Sequence, residues 1–83
     1  MKAYRVHDGE PEEWCLLVFA ETPGRAKALT YDNWFPEWND IRAERRPAYD
    51  GIFVKSVVVE TNDDLPIDAP RFYEPSINTE GRY

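Results

Sequence analysis

Residues 14–29 read "WCLLVFAETPGRAKAL", and their interpretation decides the fold. From Trp14 to Glu21 the side chains of Trp14, Leu16, Val18 and Ala20 alternate with Cys15, Leu17 and Phe19. Both faces of this extended segment are apolar, as in a central strand covered on two sides. Thr22 is a good N-cap, and Pro23 suits the first helical position, where a missing N–H costs nothing. The spacing predicts a helix to about Trp34, with Ala26, Leu29, Thr30, Asn33 and Trp34 facing inward. Pro36 stops it, and "FPEW" turns the chain.

Working outward, Lys2 to His7 predicts a short strand, with Tyr4 and Val6 on one side and Arg5 and His7 on the other. "DGEPEE" (Asp8 to Glu13) has the composition of a surface turn. "DIRAERR" (Asp40 to Arg46) sets Ile41 and Ala43 against Arg42, Glu44 and Arg46, as in a half-exposed edge strand. "PAYDG" is a turn, and "IFVKSVVVET" (Ile52 to Thr61) predicts a last strand, β-branched and apolar on both faces.

These elements give an α+β fold, ββαββ, with one helix on a four-stranded mixed sheet. The expected strand order is 1-2-4-3, with strands two and four central and strands two and three parallel. The domain would span residues 1–61. Residues 62–83, interrupted by Pro66, Pro70 and Pro75, form an irregular tail expected to pack on the domain or on a partner. One helix covers only one face of such a sheet. The other face needs the tail, a second copy or a different protein.

Size and charge narrow the function classes. At 83 residues, 42% hydrophobic, the chain suits one small domain burying roughly 60–65% of its unfolded surface. A small site or a binding surface is easier to build here than a deep catalytic pocket. Net charge is -6. Residues 1–24 contribute -3 and residues 47–83 contribute -4, against +1 from residues 25–46. Such a chain repels nucleic-acid backbones unless its cations cluster. The acidic surface either imitates nucleic acid or serves solubility. Cys15 is the sole cysteine, which rules out an intrachain disulfide and cysteine-rich metal sites. No leader pattern is visible, and apolar runs fall far short of the roughly 20 residues that span a bilayer. The expected setting is cytoplasmic.

Individual motifs point to little chemistry. "ETPGRAK" lacks the glycine spacing of a phosphate loop. It leaves a helix start with Gly24, Arg25 and Lys27 as a weak anion site, or simply a capped helix. His7 and Cys15 lie on adjacent strands, but Cys15 sits among apolar neighbours and reads as a buried thiol. Asp63, Asp64 and Asp68 lack the spacing of a calcium loop. No metal, no cofactor and no catalytic residue is expected. Arg42, Arg45 and Arg46 divide between two faces, and pairing with surplus carboxylates is their simplest role. Trp34, Phe35 and Trp38 either close the core or, with Arg42, Arg46, Phe72 and Tyr73, anchor a protein partner.

The segments "VFAETPGRAKAL" and "DIRAERRP" resemble a group of small bacteriophage- and prophage-encoded proteins with a V-F-A-E-T-x-G-x-A-K junction and a D-I-R-x-x-R segment. The likeness covers Lys2 to Asp50. Many members end with a cysteine pair that this chain lacks, so no metal role is transferred. The resemblance implies a phage-type accessory protein in the cytoplasm of a bacterial host cell. The leading expectation is a non-enzymatic protein that binds a host or phage protein, such as an anti-defence (anti-CRISPR or anti-restriction-like) inhibitor. The alternatives are a nucleic-acid or nucleotide binder using Arg25, Lys27, Arg42 and Arg46, and a structural homodimer.

Overall fold

The structure is a computed structural model and describes residues 1–9, 15–60 and 62–70. It contains β1 (Lys2–His7), β2 (Cys15–Ala20), α1 (Pro23–Thr30), β3 (Arg42–Arg45) and β4 (Val57–Val59). Short 3₁₀ turns occupy Trp38–Asp40, Pro47–Tyr49 and Asn62–Asp64. The fold is α+β, with one helix on a four-stranded sheet.

The sheet order is β3-β1-β2-β4, which corrects the expected 1-2-4-3. Every neighbouring pair is antiparallel, so the sheet is antiparallel and not mixed. β2 and β3 do run in the same direction, but β1 lies between them where β4 was expected. The reason is the polar side of β1. Arg5 and His7 looked like the exposed residues of an edge strand. They are instead opposed by β3 in the register Arg5↔Glu44 and His7↔Arg42. The Glu44 carboxylate takes the Arg5 guanidinium, with Arg5 Nε at 2.7 Å. A central strand tolerates buried polar groups when a neighbour supplies counter-charge and hydrogen bonds.

β4 is correspondingly an edge and is shorter than the run from Ile52 to Thr61 predicted. Ile52 and Phe53 turn back over the sheet instead of extending it. The Phe53 ring meets Phe19 edge-on, with centroids 4.9 Å apart. Tertiary burial has overridden β-propensity here.

The helix also stops early, at Thr30 and not near Trp34. Thr22 caps its start, accepting the Arg25 N–H at 3.1 Å. At its end the Thr30 hydroxyl donates to the Lys27 carbonyl at 2.9 Å. Asp32 then adopts φ 70, a left-handed conformation that breaks the helix and that Asp tolerates better than most residues. Thr30 O accepts from both Trp34 N and Phe35 N, closing the turn. Asn33, expected to face inward, is exposed.

The sheet carries a core on each side. Tyr4, Val6, Leu16, Val18 and Ala20 pack with Ala26, Phe35 and Ile41 on the helix side. Ala3, Cys15, Leu17, Phe19 and Val59 pack with Tyr49 and Leu65 on the other. The loop between β3 and β4 thus supplies part of the second cover, a source the sequence pattern did not suggest. Residues 65–69 supply another part through Leu65 and Ala69. Phe72, Tyr73 and Pro75 lie outside the described residues.

Candidate interaction surface

The crossover from α1 to β3 sets aromatic side chains at the surface. Phe35 is buried and belongs to the core, and Trp34 is half-buried beside it. The Trp34 indole N–H points to Glu60 Oε1 at 3.3 Å. Trp38 is different: it is 40% exposed, next to Tyr31 at 44%. Their rings meet edge-on with centroids 5.5 Å apart. Lys27 reaches over the Trp38 ring, its Nζ 4.8 Å from the centroid. Lys27 and Tyr31 are four residues apart, and the "FP" turn returns Trp38 to them.

The local backbone holds this arrangement. Tyr31 and Phe35 form a parallel bridge, and Asp32 N donates to Phe35 O at 2.9 Å. The 3₁₀ turn Trp38–Asp40 closes through Ile41 N to Trp38 O at 3.1 Å, and buried Ile41 anchors it to the core. Sequence reasoning offered Trp38 as a partner anchor, noted Tyr31 only as an aromatic near the arginine cluster, and missed the Lys27 contact. The Lys27/Tyr31 spacing was the available signal.

The expected anion site does not assemble around a common point. Gly24 and Arg25 are exposed, Thr22 takes the Arg25 N–H, and Lys27 is directed at Trp38. The arginines behave mostly as counter-charges. Arg45 grips Asp50 through two bonds of 2.8 and 2.7 Å. Arg46 Nη2 lies 4.0 Å from Glu44. Arg42 donates to the carbonyls of Asn39 and Ile41 at 2.7 and 3.1 Å. Arg42 and Arg46 share the face of Glu44, while Arg45 lies across the strand over Tyr4, 5.5 Å from its centroid.

His7 and Cys15 are register partners and both are buried. The imidazole Nδ1 accepts the Gly9 N–H at 3.0 Å, while Nε2, buried 3.3 Å from Glu44 Oε2, forms no hydrogen bond with a described residue. Arg5 foremost, then His7, holds the Glu44 carboxyl below its ordinary value against the opposing effect of burial. Among the described residues no group of three or more His, Cys, Asp or Glu could hold a metal ion. No described helix is long and apolar enough to cross a membrane.

Among the described residues, Tyr31 and Trp38 are the large apolar side chains that meet at the surface with a cation beside them. Comparison with protein-family models, with curated proteins and with solved structures finds no match.

Proposed function

We propose that this chain is a non-enzymatic interaction protein that binds a protein partner through the Tyr31–Trp38 surface. The observation that carries the reading is the pairing of two exposed aromatics on a hydrogen-bonded turn anchored by buried Phe35 and Ile41. Trp and Tyr are the side chains most often found at the energetic centres of protein interfaces, because they bury a large area at low entropic cost. Nothing comparable supports nucleic-acid binding through Arg25, Lys27, Arg42 and Arg46, since Arg42 is directed to the Asn39 and Ile41 carbonyls and Arg46 to Glu44. The resemblance to phage-encoded proteins suggests the setting. The partner would be a host or phage protein in the bacterial cytoplasm, and an anti-defence inhibitor of a nucleic-acid-handling machine is its specific form.

The test is affinity capture from bacterial lysate with wild-type protein and with Tyr31→Ala/Trp38→Ala. A stoichiometric partner is expected on the wild type and at least tenfold less on a folded double variant, as for an interface centre. A partner retained equally by both moves the interface elsewhere. Repeated failure of well-folded wild type to capture any partner overturns the reading.

A further inference from the structure

What the partner brings to Trp38 is readable in the charge of the turn itself. Residues 31–41, "YDNWFPEWNDI", carry Asp32, Glu37 and Asp40 and no Lys or Arg; the next residue, Arg42, folds one cation onto the Asn39 and Ile41 carbonyls, which leaves the turn net acidic. All three carboxylates are exposed. None forms an ion pair with a described residue, whereas Glu44 and Asp50 are matched to Arg5 and Arg45. Trp38 already carries a cation on its ring, Lys27 Nζ at 4.8 Å. That contact is weak at an exposed site and is made by a flexible four-carbon stem, so another cation can displace it.

We infer that this surface takes an arginine-bearing segment of the partner protein, whose guanidinium replaces Lys27 on the Trp38 ring while Asp32, Glu37 and Asp40 hold flanking cations. Juxtaposition of an exposed Trp/Tyr pair, an intramolecular cation already seated on it and three carboxylates unmatched among the described residues selects a cationic occupant. Arginine fits better than lysine because its planar, weakly hydrated head stacks on an aromatic face. A phosphate backbone would meet repulsion from the three carboxylates. The inference deepens the interaction reading above and rests on it.

The test uses full-length protein and the probe peptide acetyl-Arg-Arg-Arg-amide, followed by the Trp38 indole N–H resonance at physiological salt. Trp38→Ala should weaken binding about fivefold, read from backbone amides of the turn. Asp32→Asn/Glu37→Gln/Asp40→Asn should weaken it about tenfold. The charge-matched control Glu21→Gln/Asp64→Asn/Asp68→Asn, which removes the same three charges elsewhere, should change it less than about twofold. Lys27→Met should tighten binding about threefold, because the competing cation is gone. Weaker binding in Lys27→Met, no loss in Trp38→Ala, or equal loss in the control overturns the inference. So does Trp38-dependent self-association of wild type in sedimentation, which would make a second copy the occupant. If these arms fail while lysate capture remains Trp38-dependent, only the cationic partner falls and the surface itself stands.

Discussion

On one side of the sheet, Ala26 and Leu29 of a regular helix, followed by Trp34, Phe35 and Ile41, lie against Tyr4, Val6, Leu16 and Val18. On the other side, Leu17 and Phe19 are reached by Tyr49, Ile52, Phe53 and Leu65 from chain with no regular turn longer than three residues. A helix satisfies its own backbone and needs only to deliver side chains. Irregular cover must find a partner for each buried backbone group as well. Here those partners are specific: Gly51 N donates to Met1 O, and Met1 N to Phe53 O, both at 3.0 Å. Ala3 N donates to Asp50 Oδ1 at 2.8 Å. The loop is stitched to the start of β1 where a helix would simply rest on it.

The difference predicts unequal responses to truncation. Phe35→Ala, on the helix side, should cost about 3–5 kcal/mol, because the side chain is 2% exposed among regular elements that relax little. Leu65→Ala should cost about 2–3 kcal/mol, near the lower end for a buried leucine, because its segment can settle inward. Chemical denaturation gives both values. Hydrogen exchange adds a discriminating readout: Leu65→Ala should speed exchange in residues 47–53 and 62–69 before the helix side responds. Equal costs with uniform exchange would show that the two covers act as one unit.

The same contrast explains what was legible in the sequence. β1, β2, the Thr22 cap and the β3 alternation follow from period and capping chemistry, and each lies where local pattern and tertiary role agree. Strand order was not legible. It depended on Glu44 meeting Arg5 and His7, a partnership between residues far apart in sequence whose types alone looked solvent-facing. The extent of β4 failed for the converse reason, because "IFVKSVVVET" has strand propensity throughout but Phe53 gains more by covering Phe19. At the candidate surface the sequence offered Trp34, Phe35 and Trp38 as equals. Burial separates them, and only the turn geometry from Asp32 to Ile41 decides which ring stays outside.

A smaller effect tests how far the helix side depends on its cap. α1 has eight residues and no acidic residue in its first turn, so its start rests on the Thr22 cap and on Pro23 at the first helical position. Thr22→Ala should cost about 1 kcal/mol. Thr22→Ser and Thr22→Asp should keep most of the stability, since both supply an acceptor oxygen to the Arg25 N–H. If Thr22→Asp is as damaging as alanine, packing of Ala26 and Leu29 and not the cap sets the helix start.

The least costly and most local test concerns the stitch on the other side. Asp50 stands in for a strand residue, accepting the Ala3 N–H while Arg45 holds both its oxygens. The Arg45 guanidinium first, then the Ala3 amide, holds the Asp50 carboxyl well below the usual carboxylate range. A carboxyl depressed on folding contributes stability that is complete above its unfolded value of about 3.9 and is lost as pH falls through the lower folded value. Wild type should therefore lose stability on acidification below about pH 5, and Asp50→Asn should lose less over the same interval. Glu44, also depressed, contributes to both proteins and cancels in the comparison. Because Asp50 is solvent-exposed, the difference in slope should be small. The exchange rate of the Ala3 amide is the sharper measure. Asp50→Asn keeps an acceptor and should protect that amide, whereas Asp50→Ala removes the acceptor and should release it. Parallel acid profiles together with unchanged Ala3 exchange in the alanine variant would mean that Asp50 does not hold the loop, and that Tyr49 and Phe53 seat it by packing alone.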